Sequence, residues 1–363
     1  MNHTAPGALR RRLIAAGSLT AAAALALTGC AGGADAGGEA DTDAIGVSLI
    51  VKTTTNPFFV AMQDGAEAAA DELGVELTLA AGKEDGDEDT QIQAIENAIS
   101  KGDAGILITP NGPGVEDALV KARDAGLFVI ALDTPPADPD AVDITFATDN
   151  FAAGQEIGRW TAAKLAGETA TIALIDLFDD KIVSVDYNRD QGFLDGMGID
   201  TADAAVNGDE AKSGTYSGGD YVIVGNEASG GAEDGGRTAA ETLLSKNPDI
   251  NVVYTINEPA AYGAYEAFKA AGKDDVIVVS VDGGCAGVDQ VAEGIIGATS
   301  QQYPVKMAEL GVQAIFDLVK TGKAPETTEG LDFFDTGVAL VTDDPQEGVD
   351  SIDTTEGGEI CWG

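Results

Sequence analysis

The sequence predicts an α/β protein with two doubly wound parallel-sheet lobes. Three observations lead to this prediction. Strand-like and helix-like segments alternate from Ala44 onward, the strand segments are short and rich in β-branched residues, and the alternation starts again after a break. Parallel strands are buried on both faces, and each crossover helix returns the chain to a parallel strand. Two runs of alternation therefore indicate two lobes.

The first run begins with a buried strand over residues 45–51, followed by a helix over residues 57–73. Asn56 suits the cap of this helix and Pro57 suits its first turn. The pattern then repeats along the chain. Further strands are predicted at residues 75–80, 104–109, 127–132 and 144–147, and further helices at 89–100, 115–125 and 150–166.

The second run starts near residue 171 and has the same rhythm. Residues 199–220 interrupt it, because they are polar, Gly-rich and unpatterned, and we interpret them as a surface insertion. The tail after Asp343 is acidic and predicted to be irregular. Strands are predicted at residues 171–175, 221–224, 251–255 and 276–281, and helices at 185–196, 232–245, 259–271, 285–293 and 305–320.

The N-terminus has the pattern of a secretory leader. Three consecutive arginines, residues 10–12, precede an apolar run that ends in Leu27-Thr28-Gly29-Cys30, which resembles a bacterial lipobox. We therefore predict a lipoprotein signal peptide over residues 1–29, lipidation of Cys30 and a flexible acidic tether over residues 30–43. The alternative is an ordinary secretory leader with an incidental cysteine. The prediction puts the protein outside the cytoplasm, anchored to the outer face of the cell membrane.

Composition excludes several classes of function. Without the leader, the chain has 17 basic and 62 acidic side chains, and this excess of negative charge disfavours nucleic acid and anionic lipid as partners. The only histidine, His3, lies in the leader, which excludes Ser-His and Cys-His triads and imidazole metal sites in the rest of the chain. The acidic run of residues 84–89 has the spacing of a calcium loop, but Thr90 stands where such a loop needs Gly. We predict neither a metal nor a cofactor.

Two cysteines remain beyond Cys30, namely Cys285 and Cys361. In an oxidising compartment such a pair favours a disulfide bridge. The alternative is two buried thiols.

Polar residues follow the predicted strands, where open parallel sheets bind ligands. Amides both donate and accept hydrogen bonds, whereas carboxylates accept and Arg donates, so together they suit sugar hydroxyls. Aromatic faces suit the C–H face of a sugar ring. The alternatives are that an Asp only caps a helix and that a Phe only packs in the core. The predicted sugar-binding residues are Lys52, Asn56, Phe58, Phe59, Asp133, Asp149, Arg189, Asn257, Asp282 and Gln302.

The same segments make the sequence similar to periplasmic sugar-binding proteins of the ribose-binding type, the receptors of ABC importers. The resemblance covers nearly the whole chain after the leader, and the segment of residues 254–261 and the ending Cys361-Trp362-Gly363 resemble the fructose-binding branch. Its motifs are Lys52-Thr53-Thr54-Thr55-Asn56-Pro57-Phe58-Phe59, Ala131-Leu132-Asp133-Thr134, Ala147-Thr148-Asp149-Asn150, Asn188-Arg189-Asp190-Gln191-Gly192-Phe193, Thr255-Ile256-Asn257-Glu258-Pro259, Val281-Asp282-Gly283-Gly284 and Gln301-Gln302-Tyr303-Pro304.

The resemblance implies a type I periplasmic binding protein with a three-strand hinge. The N-terminal lobe would comprise residues 44–148 and 303–333, and the C-terminal lobe residues 149–302 and 334–363. A monomer would bind a monosaccharide between the lobes and deliver it to the permease. Thr134 replaces the Arg usual in ribose binders and Lys52 replaces a small hydroxyl residue, which suggests a hydroxyl pattern different from that of ribose. The similarity to the fructose-binding branch makes fructose the expected ligand, and ribose or another monosaccharide is the alternative. Phe178 and Tyr187 are candidates for the aromatic on the second sugar face.

Three other functions are compatible with this fold. A sugar-responsive repressor would need a basic helix-turn-helix before the first strand, where this chain has a leader and an acidic tether. A glycosidase could use Asp133 and Asp282 as its two carboxylates, since sequence alone does not give their separation. A ligand-sensing ectodomain partner of a signalling receptor would bind the same sugar, and only its partner would distinguish it.

Overall fold

Two separate β-sheets organise residues 44–363, the part of the chain that the computed structural model describes. The predicted signal peptide, Cys30 and the tether lie outside it. The strands are β1 (Ile45–Val51), β2 (Val75–Ala81), β3 (Gly105–Ile108), β4 (Phe128–Leu132), β5 (Ile144–Ala147), β6 (Ala170–Asp176), β7 (Ser213–Thr215), β8 (Asp220–Ala228), β9 (Val252–Thr255), β10 (Ile277–Asp282), β11 (Ala298–Gln301), β12 (Phe334–Asp335) and β13 (Ala339–Val341).

Helices cover the faces of these sheets. Their spans are α1 (Pro57–Leu73), α2 (Glu88–Lys101), α3 (Glu116–Asp124), α4 (Asn150–Leu165), α5 (Ser184–Met197), α6 (Glu233–Lys246), α7 (Glu258–Ala270), α8 (Cys285–Ala292), α9 (Pro304–Thr321) and α10 (Thr354–Ile360). In the described part of the chain, no helix has the length and apolar character needed to cross a membrane.

The strand order is that of two doubly wound sheets. The first sheet runs β12-β5-β4-β3-β1-β2 and is parallel throughout. The second runs β13-β11-β10-β9-β6-β8-β7, with antiparallel strands at its two edges, β13 and β7. In each sheet the order reverses beside the first strand of its run, β1 or β6, and ligands bind at such switch points. The predicted α/β class with two parallel-sheet lobes is confirmed.

The chain passes between the two sheets three times, after β5, after β11 and after β12. The third passage differs from the predicted boundary after residue 333. Phe334 and Asp335 pair with Phe146 and Ala147 of β5, and the rings of Phe334 and Phe146 lie 5.0 Å apart between centroids. Residues 334 and 335 therefore belong to the first lobe, because their backbone completes the edge of its sheet.

Helix α9 belongs to the first lobe despite its late position in the chain. Its buried face, which includes Met307, Val312 and Ile315, shares one apolar core with Leu49 of β1 and Met62 of α1. Helices α1 and α9 are in close contact, since a Cβ at Gly65 of α1 would lie 2.7 Å from the backbone oxygen of Val305. The first sheet is thus covered on this face by helices from both ends of the described chain.

Several short elements were not predicted. Strand β7 lies inside the predicted insertion of residues 199–220, where buried Tyr216 donates a hydrogen bond from its hydroxyl to the Glu168 carbonyl over 2.7 Å. Helix α10 lies in the tail predicted to be irregular, and the Asp353 carboxylate caps it at the Glu356 amide. These elements carry few apolar residues, so their order comes from tertiary contacts that no local pattern reveals.

The disulfide bridge between Cys285 and Cys361 is confirmed. It joins the first residue of α8 to the C-terminal segment. Next to it, the Cys285 amide donates to the Trp362 carbonyl over 2.9 Å. The bridge therefore attaches the acidic tail to the end of β10.

Candidate functional site

The carboxyl ends of both sheets border one cavity, with about 400 Å³ of atom-free space that is partly open to solvent. Nine of the ten predicted sugar-binding residues line it, and they come from both lobes. These nine are Lys52, Asn56, Phe58, Phe59, Asp133, Arg189, Asn257, Asp282 and Gln302.

Asp149, the tenth predicted residue, is not part of the cavity lining. Its carboxylate caps α4 by accepting a 2.9 Å hydrogen bond from the Ala152 amide. A strand-end Asp that precedes a helix satisfies an otherwise unpaired backbone amide in this way. The structure therefore places Asp149 at a helix cap in the first passage between the lobes.

Two carboxylates in the cavity are presented by unusual backbone conformations. Asp133 has φ 63° and Asp282 has φ 154°, both in the region that favours glycine. Such conformations cost about 1–3 kcal/mol each and persist where the surroundings impose them. The Thr134 hydroxyl donates to Asp133 Oδ2 over 2.7 Å, and Gln302 Nε2 donates to Asp282 Oδ1 over 2.8 Å. The two carboxylates are therefore held at fixed positions.

Arg189 lies between these carboxylates and is 5% exposed. Its Nε donates to Asn150 Oδ1 over 2.7 Å and its Nη1 donates to the Ile256 carbonyl over 2.9 Å. Its nearest distances to Asp133 Oδ1 and Asp282 Oδ1 are both 3.9 Å. These separations suit charge attraction but exceed a hydrogen bond. Carboxylate oxygens and guanidinium N–H groups therefore remain available to a ligand.

The position of Arg189 on α5 is fixed by an unusually close contact with α4. A Cβ at Gly154 of α4 would lie 2.2 Å from the Arg189 carbonyl oxygen, and one at Gly158 would lie 2.2 Å from the Phe193 carbonyl oxygen. Gly192 of α5 has the same relation to the Phe151 carbonyl of α4. Only glycine permits this approach, and it brings Arg189 within reach of Asn150.

The remaining polar groups complete a mixed set of donors and acceptors. Lys52 Nζ lies 3.9 Å from Asp133 Oδ2 and 6.0 Å from the centre of the Phe59 ring. The side-chain oxygens of Asn56 and Asn257 accept from backbone amides at the starts of α1 and α7. The two asparagines thus line the cavity while they also cap helices.

Phe58 supplies an aromatic wall, and its ring contacts Phe59 and Trp362 edge to face, each 5.2 Å away between centroids. Neither Phe178 nor Tyr187, the candidates for a second aromatic face, lines this cavity. The lining also includes residues that sequence reasoning missed, because they read as ordinary core or solvated positions. These are Asp85, Leu177, Val185, Gly231 and Ile256. Asp85 follows the end of β2, and the strand-end rule could have identified it as a cavity residue.

Burial raises the pKa of Asp282 to about 6, although the Arg189 charge and the Gln302 hydrogen bond act in the opposite direction. A second group of buried acids lies behind Arg189, where Asn226 Nδ2 donates to Asp176 Oδ2 over 2.9 Å and to Asp190 Oδ2 over 3.3 Å. Burial and the charge of Asp186 raise the pKa of Asp176 to about 7, and burial and the charges of Asp176 and Glu210 raise the pKa of Asp190. These carboxyls hold protons more tightly in the folded chain than in the unfolded one.

We therefore expect stability to fall as pH rises from 5 to 8. An acid whose folded pKa lies above its unfolded value contributes most at low pH, and its contribution is lost as pH passes through the folded pKa of about 6–7. Thermal unfolding between pH 5 and 8 should show a falling Tm, with a smaller slope for Asp176→Asn. The control Asp274→Asn, at an exposed loop position, should keep the slope. A Tm that rises over this range would contradict the prediction.

Comparison with known proteins agrees with this architecture. Residues 45–324 match the model of a periplasmic binding protein domain. A ribose import binding protein of Haemophilus influenzae is 30% identical over 278 residues, which are 76% of this chain and 86% of the relative. A D-apiose import binding protein of Actinobacillus succinogenes is 30% identical over 288 residues, 78% of this chain and 85% of the relative.

A solved structure gives the same result. An ABC transporter solute-binding protein from Agrobacterium vitis with bound D-fucose is 25% identical and has a TM-score of 0.71 over 87% of this chain and 100% of the other. The relatives named here are binding proteins rather than enzymes. The chain therefore belongs to the periplasmic binding protein domain family, as a type I sugar-binding protein and not an enzyme.

Proposed function

We propose that the protein is the solute-binding subunit of an ABC sugar importer, anchored outside the cell membrane through lipidated Cys30. It binds a monosaccharide, fructose, between the lobes as a monomer and delivers it to the permease. The observation that carries this proposal is the arrangement of Arg189 between Asp133 and Asp282, with 3.9 Å on either side. A sugar hydroxyl both donates and accepts, so it can bond to the guanidinium and a carboxylate at once.

The shape of the cavity supports a small polyol. Its lining combines charged side chains with the ring of Phe58 and apolar groups such as Leu177 and Ile256, so polar and apolar surfaces coexist. A sugar ring has both kinds of surface. The similarity to import binding proteins for ribose and for D-apiose supports a sugar as the ligand. Because those two sugars differ, the identity of the sugar must be inferred from the residues of the cavity.

Lys52 and Thr134 favour a sugar other than ribose, and the segments similar to the fructose-binding branch favour fructose. Lys52 brings a cationic donor to Asp133 from the end of β1, and Thr134 occupies the position where ribose binders usually have Arg. The donor thus approaches Asp133 from a different strand, which alters the hydroxyl pattern that the cavity can bind. This change supports a sugar with another arrangement of hydroxyl groups.

Contacts across the cleft support closure of the lobes around the ligand. Lys181 Nζ donates to the Gly86 carbonyl and the Ser184 hydroxyl donates to the Pro135 carbonyl, each over 3.1 Å. A sugar that touches residues of both lobes favours the closed arrangement by the contacts it gains there. The closed shape would then be the form that the permease binds.

A thermal-shift screen tests the proposal. Millimolar fructose should raise Tm by several degrees, because a ligand at about 100 times its Kd stabilises by about 2.7 kcal/mol. Ribose, xylose, galactose and glucose are the comparison sugars. Asp133→Asn should reduce the shift, whereas the control Asp149→Asn should keep it, since Asn also caps a helix and position 149 does not line the cavity. If all five sugars leave Tm unchanged, the proposal is wrong.

A further inference from the structure

Glu258 is a buried acid beside the site that does not line the cavity itself. It is the first residue of α7 and is 7% exposed. Its Oε1 accepts from the Gly283 amide over 2.8 Å and from the Thr299 hydroxyl over 2.7 Å. Its Oε2 accepts from the Gly284 amide over 3.1 Å. One carboxylate thus joins the starts of α7 and α8 and strand β11.

These contacts hold the turn that presents Asp282. Asp282 and Gly283 both have positive φ, 154° and 70°, and a Cβ at Gly283 would lie 2.2 Å from the side chain of Gln301. Two consecutive backbone amides therefore point at one carboxylate. In return the Glu258 amide lies 3.4 Å from Asp282 Oδ2 and donates to it weakly. The conformation of the turn depends on a partner for its amides, because an unpaired buried N–H is costly.

The fit around Glu258 is close on the remaining side. A Cβ at Gly287 of α8 would lie 2.0 Å from the Glu258 carboxyl group, so any larger residue there would displace it. Burial and the nearby charge of Asp282 raise the pKa of Glu258 to about 8, while the hydrogen bonds from Thr299, Gly283 and Gly284 oppose this rise. The charged form of Glu258 is therefore disfavoured beside Asp282. If the residue were needed only for packing, an apolar side chain would serve at this buried position.

We propose that Glu258 is a positioning residue, which holds the amides of Gly283 and Gly284 so that the Asp282 carboxylate faces Arg189 and the ligand. This inference rests on the proposed function, because it assigns Glu258 an effect on sugar affinity. Glu258 acts through Asp282 and does not touch the sugar.

A double-mutant cycle with fructose tests the inference. Glu258→Ala should weaken binding about tenfold in the wild-type background and less than about twofold in Asp282→Asn, because coupled residues are not additive. Glu258→Gln should give an intermediate loss, since it retains one oxygen acceptor but turns an NH₂ group toward the Gly284 amide. Glu258→Gln replaces Glu258→Ala in the cycle if the alanine variant does not fold. The control Glu241→Ala removes an exposed acid on α6 and should leave affinity unchanged. Additive losses in the cycle would overturn the inference.

A second measurement does not require any sugar. Hydrogen exchange of the Gly283 and Gly284 amides should accelerate in Glu258→Ala, or in Glu258→Gln at Gly284, while the amides of β6 keep their protection. Unchanged exchange at both glycines would overturn the inference even if the protein binds fructose. If no sugar of the screen binds the wild type, the proposed function fails, and the exchange measurement still decides whether Glu258 positions the turn.

Discussion

Arg189→Ala is expected to weaken sugar binding at least about a hundredfold, because hydrogen bonds to charged groups contribute about 1.5–3 kcal/mol each and Arg189 can form two. The variant is also expected to lose about 3–5 kcal/mol of folding free energy near neutral pH. Arg189 is the buried cation between Asp133 and Asp282, so its removal leaves the Asp282 carboxylate without compensation and leaves Asp133 with Lys52, 3.9 Å away, as its cationic partner. Its bonds to Asn150 and the Ile256 carbonyl are lost as well.

Calorimetric titration with sugar and urea unfolding measure the two effects separately. Arg189→Lys is the matched control, since it keeps the charge but not the planar set of donors. Compared with Arg189→Ala, the Arg189→Lys variant should restore more of the folding stability than of the sugar affinity. If Arg189→Ala folds and binds sugar as tightly as the wild type, Arg189 is not part of the site.

Removal of the Cys285–Cys361 bridge is expected to cost up to about 4–5 kcal/mol of stability. The two cysteines are 76 residues apart, and in the chain-entropy model a cross-link of this length restricts the unfolded chain strongly. The effect should extend to the site, because the bridge holds Trp362, which contacts Phe58 and donates from Nε1 to the Gln302 carbonyl over 2.8 Å. A Cys285→Ser, Cys361→Ser double variant should therefore lose both stability and some affinity.

Urea unfolding of the double variant and of reduced wild type measures this cost. The two samples should agree, since both lack the same bond. Equal midpoints for oxidised wild type and the double variant would contradict the prediction.

Sequence patterns were sufficient where a residue's role depends on its position at a strand end. Asp133, Asn257 and Asp282 follow parallel strands, and the topology brings such ends together at one edge of each sheet. Arg189 was found through its motif, because it lies on a helix and no strand-end rule leads to it. The same strand-end rule also selected Asp149, which caps a helix instead. The sequence alone does not distinguish a carboxylate that caps a helix from one that lines a cavity.

Tertiary contacts account for what sequence patterns missed. Strand β12 is two residues long and exists because Phe334 packs on Phe146 at the edge of the first sheet. Helix α10 carries no continuous apolar face and is held by its cap and by the bridge at Cys361. Glu258 was not among the predicted site residues, because its bonds to Gly283 and Thr299 connect segments far apart in sequence.

The late position of α9 has a consequence for how the protein is made. The face of β1 that packs against α1 and α9 stays partly uncovered until residues 304–321 arrive, and β12 comes later still. Domains usually fold in the order of synthesis, but here the N-terminal lobe cannot finish its core until nearly the entire chain has left the ribosome. For a chain that must cross a membrane before it folds, this arrangement delays folding until most of the chain has been synthesised. Shortening the chain before α9 would leave the beginning of the protein, rather than its end, without a stable core.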